Sequence, residues 1–173
     1  MSERTPGKLA GRLMLIVAWA AALFLATRFF GDWEHRRENP NTQVSSEHGE
    51  GYVQVQLASN SQGHFVMTGQ INAHPVEFLL DTGATNVAIP EKIANTLRLE
   101  RGASVEVNTA NGRADAFRTS LGRLQIGDIV LNDVRALIIP GLEGDQVLLG
   151  MSAMKQLEFT QRSGTLLLRQ TTK

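Results

Sequence analysis

The run Phe78-Leu79-Leu80-Asp81-Thr82-Gly83-Ala84 sets an acid, a hydroxyl and a glycine at the end of an apolar segment that reads as a β-strand. Hydrolysis of a peptide bond by carboxylates needs an acid held on a rigid support, beside a turn whose backbone N–H groups come near it. Gly83 permits such a turn without a Cβ in the way, and the Thr82 hydroxyl can bond to a neighbouring backbone group and fix the loop. The same three residue types also end ordinary strands, because Asp, Thr and Gly all favour turns. The triplet therefore takes its meaning from its surroundings.

On the N-terminal side of the triplet, Val53, Val55 and Leu57 alternate with polar residues. The apolar-rich runs 65–71 and 76–80 are separated by Asn72-Ala73-His74-Pro75, which suits a hairpin turn. On the C-terminal side a short run, 87–89, leads to Pro90, which opens a short helix, PEKIANTLRL. Proline stands in its first turn, Glu91 near its positive end, and Ile93, Ala94 and Leu97 at helical spacing. Val105 and Val107 then lead into Ala110-Asn111-Gly112, where Asn-Gly is a strong two-residue hairpin signal. Further strands are expected over 117–126, 129–139 and 147–149, followed by a helical turn over 151–156 and a last strand over 164–168. The fold class is all-β, a small closed or nearly closed barrel. No internal repeat is visible.

The chain has 173 residues, which allows one compact domain plus an extension. Acidic and basic residues number 17 each, so no basic field exists to hold phosphate backbones, and nucleic acid is not expected as a partner. The absence of cysteine excludes disulfides, thiol catalysis and thiolate metal sites. His35, His48, His64 and His74 are scattered without metal-ligand spacing, so no metal or other cofactor is expected. Gly141-Leu142-Glu143-Gly144 lacks the lysine and hydroxyl of a phosphate-binding loop. Ser152, in Gly150-Met151-Ser152-Ala153-Met154, misses the glycine placement of a nucleophile elbow and reads as a helix cap.

At the N-terminus, Arg4, Lys8 and Arg12 precede the uncharged run LMLIVAWAAALFLAT, 13–27, which is followed by Arg28, Phe29 and Phe30. The run is shorter than the roughly 20 residues of a spanning helix. Leu9, Ala10, Phe29 and Phe30 extend it, and Arg12 and Arg28 can snorkel. Residues 1–30 thus read as a short cytoplasmic segment and a transmembrane signal anchor. A cleaved signal peptide is the competing reading, with Ala20-Ala21-Ala22 as its small residues. Basic residues are equally many on both flanks, so charge counting does not orient the helix; the usual signal-anchor arrangement puts the main domain outside. Residues 31–51 are polar, broken by Pro40 and without apolar period, and read as a flexible linker spanning on the order of 25 Å. The folded domain is then expected over 52–173.

The order of these features resembles the retropepsin-like aspartic proteases. An apolar strand runs into Asp81-Thr82-Gly83-Ala84. A later hairpin, with Thr109, Ala110, Asn111 and Gly112 at its tip, corresponds to the flap. Val147-Leu148-Leu149-Gly150 then precedes a short helix. The resemblance covers about 52–169, and the anchor makes the chain similar to the bacterial membrane-anchored members. It implies that Asp81 is catalytic and that Thr82, Gly83, Ala84, Leu148, Leu149 and Gly150 support its loop. It also implies a periplasmic domain on the bacterial inner membrane that acts on peptide or protein substrates. Two departures stand out. Thr85-Asn86 replaces the acidic residue that viral members commonly carry after the triplet, and the segment after Gly150 lacks their Arg followed by Asp or Asn.

Carboxylate hydrolysis takes two acids sharing a proton, since like charges at about 3 Å do not both ionise. The chain contains no second D-[ST]-G: Asp115, Asp128, Asp133 and Asp145 lack the following hydroxyl and glycine. A homodimer with one Asp81 from each copy supplies the pair on a two-fold axis. By resemblance its interface strands are 53–57 and 165–168. The alternative function is a non-catalytic periplasmic binding or dimerisation module on the same barrel.

Overall fold

The computed structural model describes residues 6–109 and 112–172. The chain divides into two units, Met1–Arg37 and Glu38–Lys173. The first unit is occupied by helix α1 (Pro6–Glu38). Its stretch Gly11–Gly31, 21 residues, is long and apolar enough to cross a membrane, and Leu13, Leu15, Ile16, Trp19 and Phe24 on it are all exposed. Leu and Ala are the commonest residues of this stretch, and they are strong helix formers.

The second unit is built from β1 (Ser46–Gly49), β2 (Tyr52–Ala58), β3 (Val66–Ile71), β4 (His74–Leu80), β5 (Val87–Pro90), α2 (Glu91–Thr96), β6 (Ser104–Thr109), β7 (Gly112–Ile126), β8 (Ile129–Ile139), β9 (Gln146–Leu149), α3 (Met151–Met154), β10 (Glu158–Arg162) and β11 (Thr165–Thr171). Seven strands form a sheet in the order β3-β4-β9-β5-β8-β7-β6. Pairing of β3 with β7 through Gln70–Gln125 and Ile71–Leu124 closes six of them into a ring, with β6 outside it on β7. The closure depends on Gly69, where a Cβ would lie 2.4 Å from the Gln125 carbonyl oxygen. The fold is thus the small closed barrel expected, with one apolar N-terminal helix.

The alternation read in the sequence is the alternation that fills the barrel. Phe78, Leu121, Leu124, Ile126, Ile129, Leu131 and Ile138 are buried in one core with Val53, Val55, Leu57, Leu166 and Leu168. The buried parity of β7 changes between Leu121 and Leu124, opposite the change in β8 between Leu131 and Val134. Asp133, at φ 51°, sits in the break. The turn between β3 and β4 is tighter than expected: Ile71 pairs with His74, and only Asn72 and Ala73 turn, both at positive φ.

The second sheet has the order β1-β2-β11-β10. Here the structure corrects two expectations. Residues 31–51 are not coil throughout: α1 runs on to Glu38, and β1 pairs with β2. Between them Asn39 and Asn41 are buried. The Asn41 amide donates to the carbonyls of Ala58 (2.9 Å) and Val66 (2.7 Å), and its oxygen accepts from Ala58 N–H. Asn39 Nδ2 donates to Glu77 Oε1 (2.8 Å) and Thr68 Oγ1. Asn39 and Asn41, two of the polar residues that suggested a linker, are instead bonded to β2, β3 and β4. The second correction concerns the strands expected at an interface. Residues 53–57 and 165–168 pair with each other, and their outer edges are taken by β1 and β10.

Candidate active site

Strand β4 is held on both sides, by β3 and in parallel by β9, so Leu80 opposite Leu149 leaves a rigid support from which Asp81 projects. The Asp81 N–H donates to the Leu149 carbonyl (3.2 Å), carrying the support one residue beyond the strand. One carboxylate oxygen, Oδ1, accepts from Gly83 N–H at 2.8 Å. The loop then returns on itself, with Ala84 N–H bonding to the Asp81 carbonyl. Gly83 has no positive φ; what it offers is space, since a Cβ there would lie 3.2 Å from Asp81 Oδ1. Asp81 is half-buried and Thr82 exposed beside it.

Gly150 locks this loop from beneath. A Cβ at that position would stand 2.2 Å from the Asn86 carbonyl oxygen and 2.7 Å from that of Ala84, so only glycine allows the approach. The next residue, Met151, donates its N–H to the Ala84 carbonyl (2.8 Å) at the start of α3. Ser152, read as a helix cap, does something else: α3 has Gly150 at its cap position with no side-chain cap. The Ser152 hydroxyl accepts from Val87 N–H (2.9 Å) and donates to the Arg135 carbonyl (2.7 Å), tying β5 to β8 just below the loop.

Asp81, Gly83 and Ala84 form one wall of a cleft of about 490 Å³. Ala88, Ile139, Leu142 and Leu148 give it an apolar lining, and Asn108, Thr109, Arg113 and Ala114 of the β6–β7 hairpin line it as well. The hairpin thus reaches the acid's cleft, with Thr109 paired to Gly112 and its Oγ1 donating to the Gly112 carbonyl. Ala110 and Asn111, expected at its tip, lie outside the described residues. Leu149 is buried in the core, whereas Leu148 faces the cleft. The strand's alternation carries that distinction, because the buried Val147 and Leu149 leave Leu148 on the other face. Ile139, Leu142 and Arg113 went unread as cleft residues: the first ends a long strand, and the other two sit in or beside turns. Among the described residues no three His, Asp or Glu side chains converge.

The arrangement sets a single carboxylate at the edge of a cleft lined largely by apolar side chains. Comparison with known proteins agrees with that geometry. The family model described as "gag-polyprotein putative aspartyl protease" matches residues 67–156, the stretch from β3 through α3. A solved retropepsin-like aspartic protease from Rickettsia conorii is similar in fold, with 23% identity, a TM-score of 0.58, and coverage of 75% of this chain and 96% of that one. The EIAV protease complexed with the inhibitor HBY-793 superposes with a TM-score of 0.47 at 20% identity over 57% of this chain and 92% of that one. An uncharacterized protein of the cobV 5' region of Sinorhizobium sp is 36% identical over 115 residues, 65% of this chain; the chain spans about half, 49%, of that relative's length. The chain belongs to the gag-polyprotein aspartyl protease family, on a retropepsin-like fold.

Proposed function

We propose that the protein is an aspartic endopeptidase whose working site joins Asp81 of one copy to Asp81 of a second. The observation that carries this reading is the seating of Asp81: one acid, rigidly held at the mouth of a cleft with an apolar lining, its Oδ1 already bonded to Gly83 N–H. A peptide in the cleft presents its scissile carbonyl to the pair. One carboxylate accepts a proton from water as the water oxygen attacks the carbonyl carbon, while the protonated partner polarises the carbonyl oxygen. Collapse of the tetrahedral adduct breaks the C–N bond as a proton passes to the leaving nitrogen. The β6–β7 hairpin closes over the substrate as a flap.

In this reading Thr82, Gly83, Ala84, Leu149 and Gly150 hold the loop, and Leu148 contacts a substrate side chain. The α1 helix anchors the protein in the bacterial inner membrane, with the catalytic unit in the periplasm. The catalytic domain begins at Glu38 rather than at Tyr52, because Asn39 and Asn41 belong to its hydrogen-bond network.

The test is digestion of a peptide library by the full chain in detergent, with Asp81→Asn as the control. Cleavage is expected to fall by at least about 10³-fold in Asp81→Asn, with an unchanged circular dichroism spectrum. A statine-type transition-state mimic is expected to inhibit, and specific activity to rise with protein concentration. Undiminished cleavage by folded Asp81→Asn would overturn the mechanism. A wild type that pairs and cleaves nothing in the library would favour a binding module on the same barrel.

A further inference from the structure

Away from the Asp81 cleft, and sharing no residue with it, a hollow of about 360 Å³ opens where the β3–β4 turn, the loop after α2 and the middle of β7 meet. Asn72, Arg98, Glu100, Arg118, Thr119 and Ser120 are in its lining. Acidic and basic residues balance over the whole chain, 17 each, but not in this hollow. Arg98 and Arg118 are exposed, and among the described residues neither guanidinium has an ion-pair or hydrogen-bond partner. Arg101 beside them is the contrast, held by Glu91 and Asn95.

The walls are fixed by the backbone. Gly102 N–H donates to the Arg118 carbonyl (2.8 Å) and Arg118 N–H to the Ala103 carbonyl (3.0 Å), which fastens the loop to β7. A Cβ at Gly102 would lie 2.9 Å from the Arg118 carbonyl oxygen, so the fastening relies on glycine. Asn72 Oδ1 accepts from Arg123 N–H (3.0 Å), which orients that amide and leaves its Nδ2 group free to donate. The hydroxyls of Thr119 and Ser120 have no partner among the described residues. Arg98 stands at φ 53°, one residue beyond the C-cap Leu97 of α2, where glycine or asparagine fits without strain. A long cation thus occupies a position that suits the smallest residue.

We propose that this hollow binds a phosphoryl group, as a phosphate monoester or diester, with Arg98 and Arg118 as its cationic clamp. A guanidinium bonds two oxygens of such a group at once, which an ammonium does not. Asn72 Nδ2 and the hydroxyls of Thr119 and Ser120 supply neutral donors for the remaining oxygens. Glu100, the acid of the lining, opposes the bound charge and keeps the affinity modest. The clamp takes one phosphoryl group; two uncompensated arginines do not make the extended field that a polynucleotide backbone needs. Two sources share this chemistry, the headgroup of an anionic phospholipid and a soluble phosphate ester. The site stands independently of peptide cleavage, since none of its residues lines the Asp81 cleft.

The test is a titration of the full chain in a non-ionic detergent with glycerol phosphate and, separately, with dihexanoyl phosphatidylglycerol, followed through the arginine Nε–H signals by NMR. The Arg98 and Arg118 signals are expected to shift and saturate; saturation by glycerol phosphate identifies a soluble ester as ligand, and saturation by the lipid alone identifies a headgroup. Arg98→Gly is expected to weaken binding about tenfold while leaving the thermal midpoint unchanged or higher, because glycine relieves the backbone there. Arg118→Lys keeps the charge, loses the fork and is expected to weaken binding about threefold. Glu100→Gln is expected to tighten it about threefold, since it removes the opposing charge. No saturable shift with either probe, or undiminished binding in Arg98→Gly, would overturn the site. Binding that is unchanged in Arg118→Lys and vanishes at about 0.15 M salt would reveal diffuse surface charge and remove the clamp.

Discussion

The ring of six strands and the four-stranded sheet share one apolar core but finish differently. In the ring every strand is paired, and closure through Gln70–Gln125 and Ile71–Leu124 removes the free edge of β3. The four-stranded sheet ends on both sides in short strands, β1 and β10, whose residues are almost all exposed. The family match, 67–156, covers the ring and α3 and stops before β10. A side chain that needs a fixed geometry is best carried by the closed part, whereas β1 and β10 are each paired on one side only.

Substitutions can sharpen or break this contrast, and the largest effect is expected deepest in the ring. Phe78, fully buried on the strand that leads to Asp81, should cost about 3–5 kcal/mol of stability as Phe78→Ala; denaturant unfolding followed by circular dichroism measures it. Gly150→Ala should cost about 1–3 kcal/mol, because the new methyl must push the Asn86 and Ala84 carbonyls aside. It should also lower peptidase activity by more than its stability loss explains, since those carbonyls shape the Asp81 loop. At the other extreme, Glu47→Ala on β1 removes only an exposed hydrogen bond from Gln54 and should change stability by no more than about 0.5 kcal/mol. A loss at Glu47 comparable to that at Gly150 would erase the distinction between the two sheets.

The same contrast governed what was legible in the sequence. The ring was readable because its strands bury one face: the apolar-rich runs 65–71 and 76–80, the second leading into Asp81, and the run 129–139 carry the pattern of a core, as does β2 inside the other sheet with Val53, Val55 and Leu57. The strands β1 (SEHG) and β10 (EFTQR) were invisible for the same reason, since an exposed edge strand has no apolar period to show. Helix α1 was read too short because its last turns, DWEHRRE, carry no apolar signal, although extending an established helix needs little intrinsic propensity. Within the site, the acid and its glycine were found from residue type alone. The bracing by Ser152 and the cleft-facing side of Leu148 depend on partners distant in sequence, which no local pattern encodes.

The Asn39-Pro40-Asn41 segment bears on what a cut between α1 and the folded unit would leave behind. Asn41 stitches β2 to β3, and Asn39 reaches Thr68 on β3 and Glu77 on β4. A processing enzyme that cut ahead of Asn39 would shed a body with this clasp intact. One that cut after Asn41 would leave the Val66 and Ala58 carbonyls without their buried donor, a loss of about 1–3 kcal/mol for each unsatisfied group. The position of a cut, to within three residues, would then decide whether release yields a stable soluble form or a fragment destined for degradation.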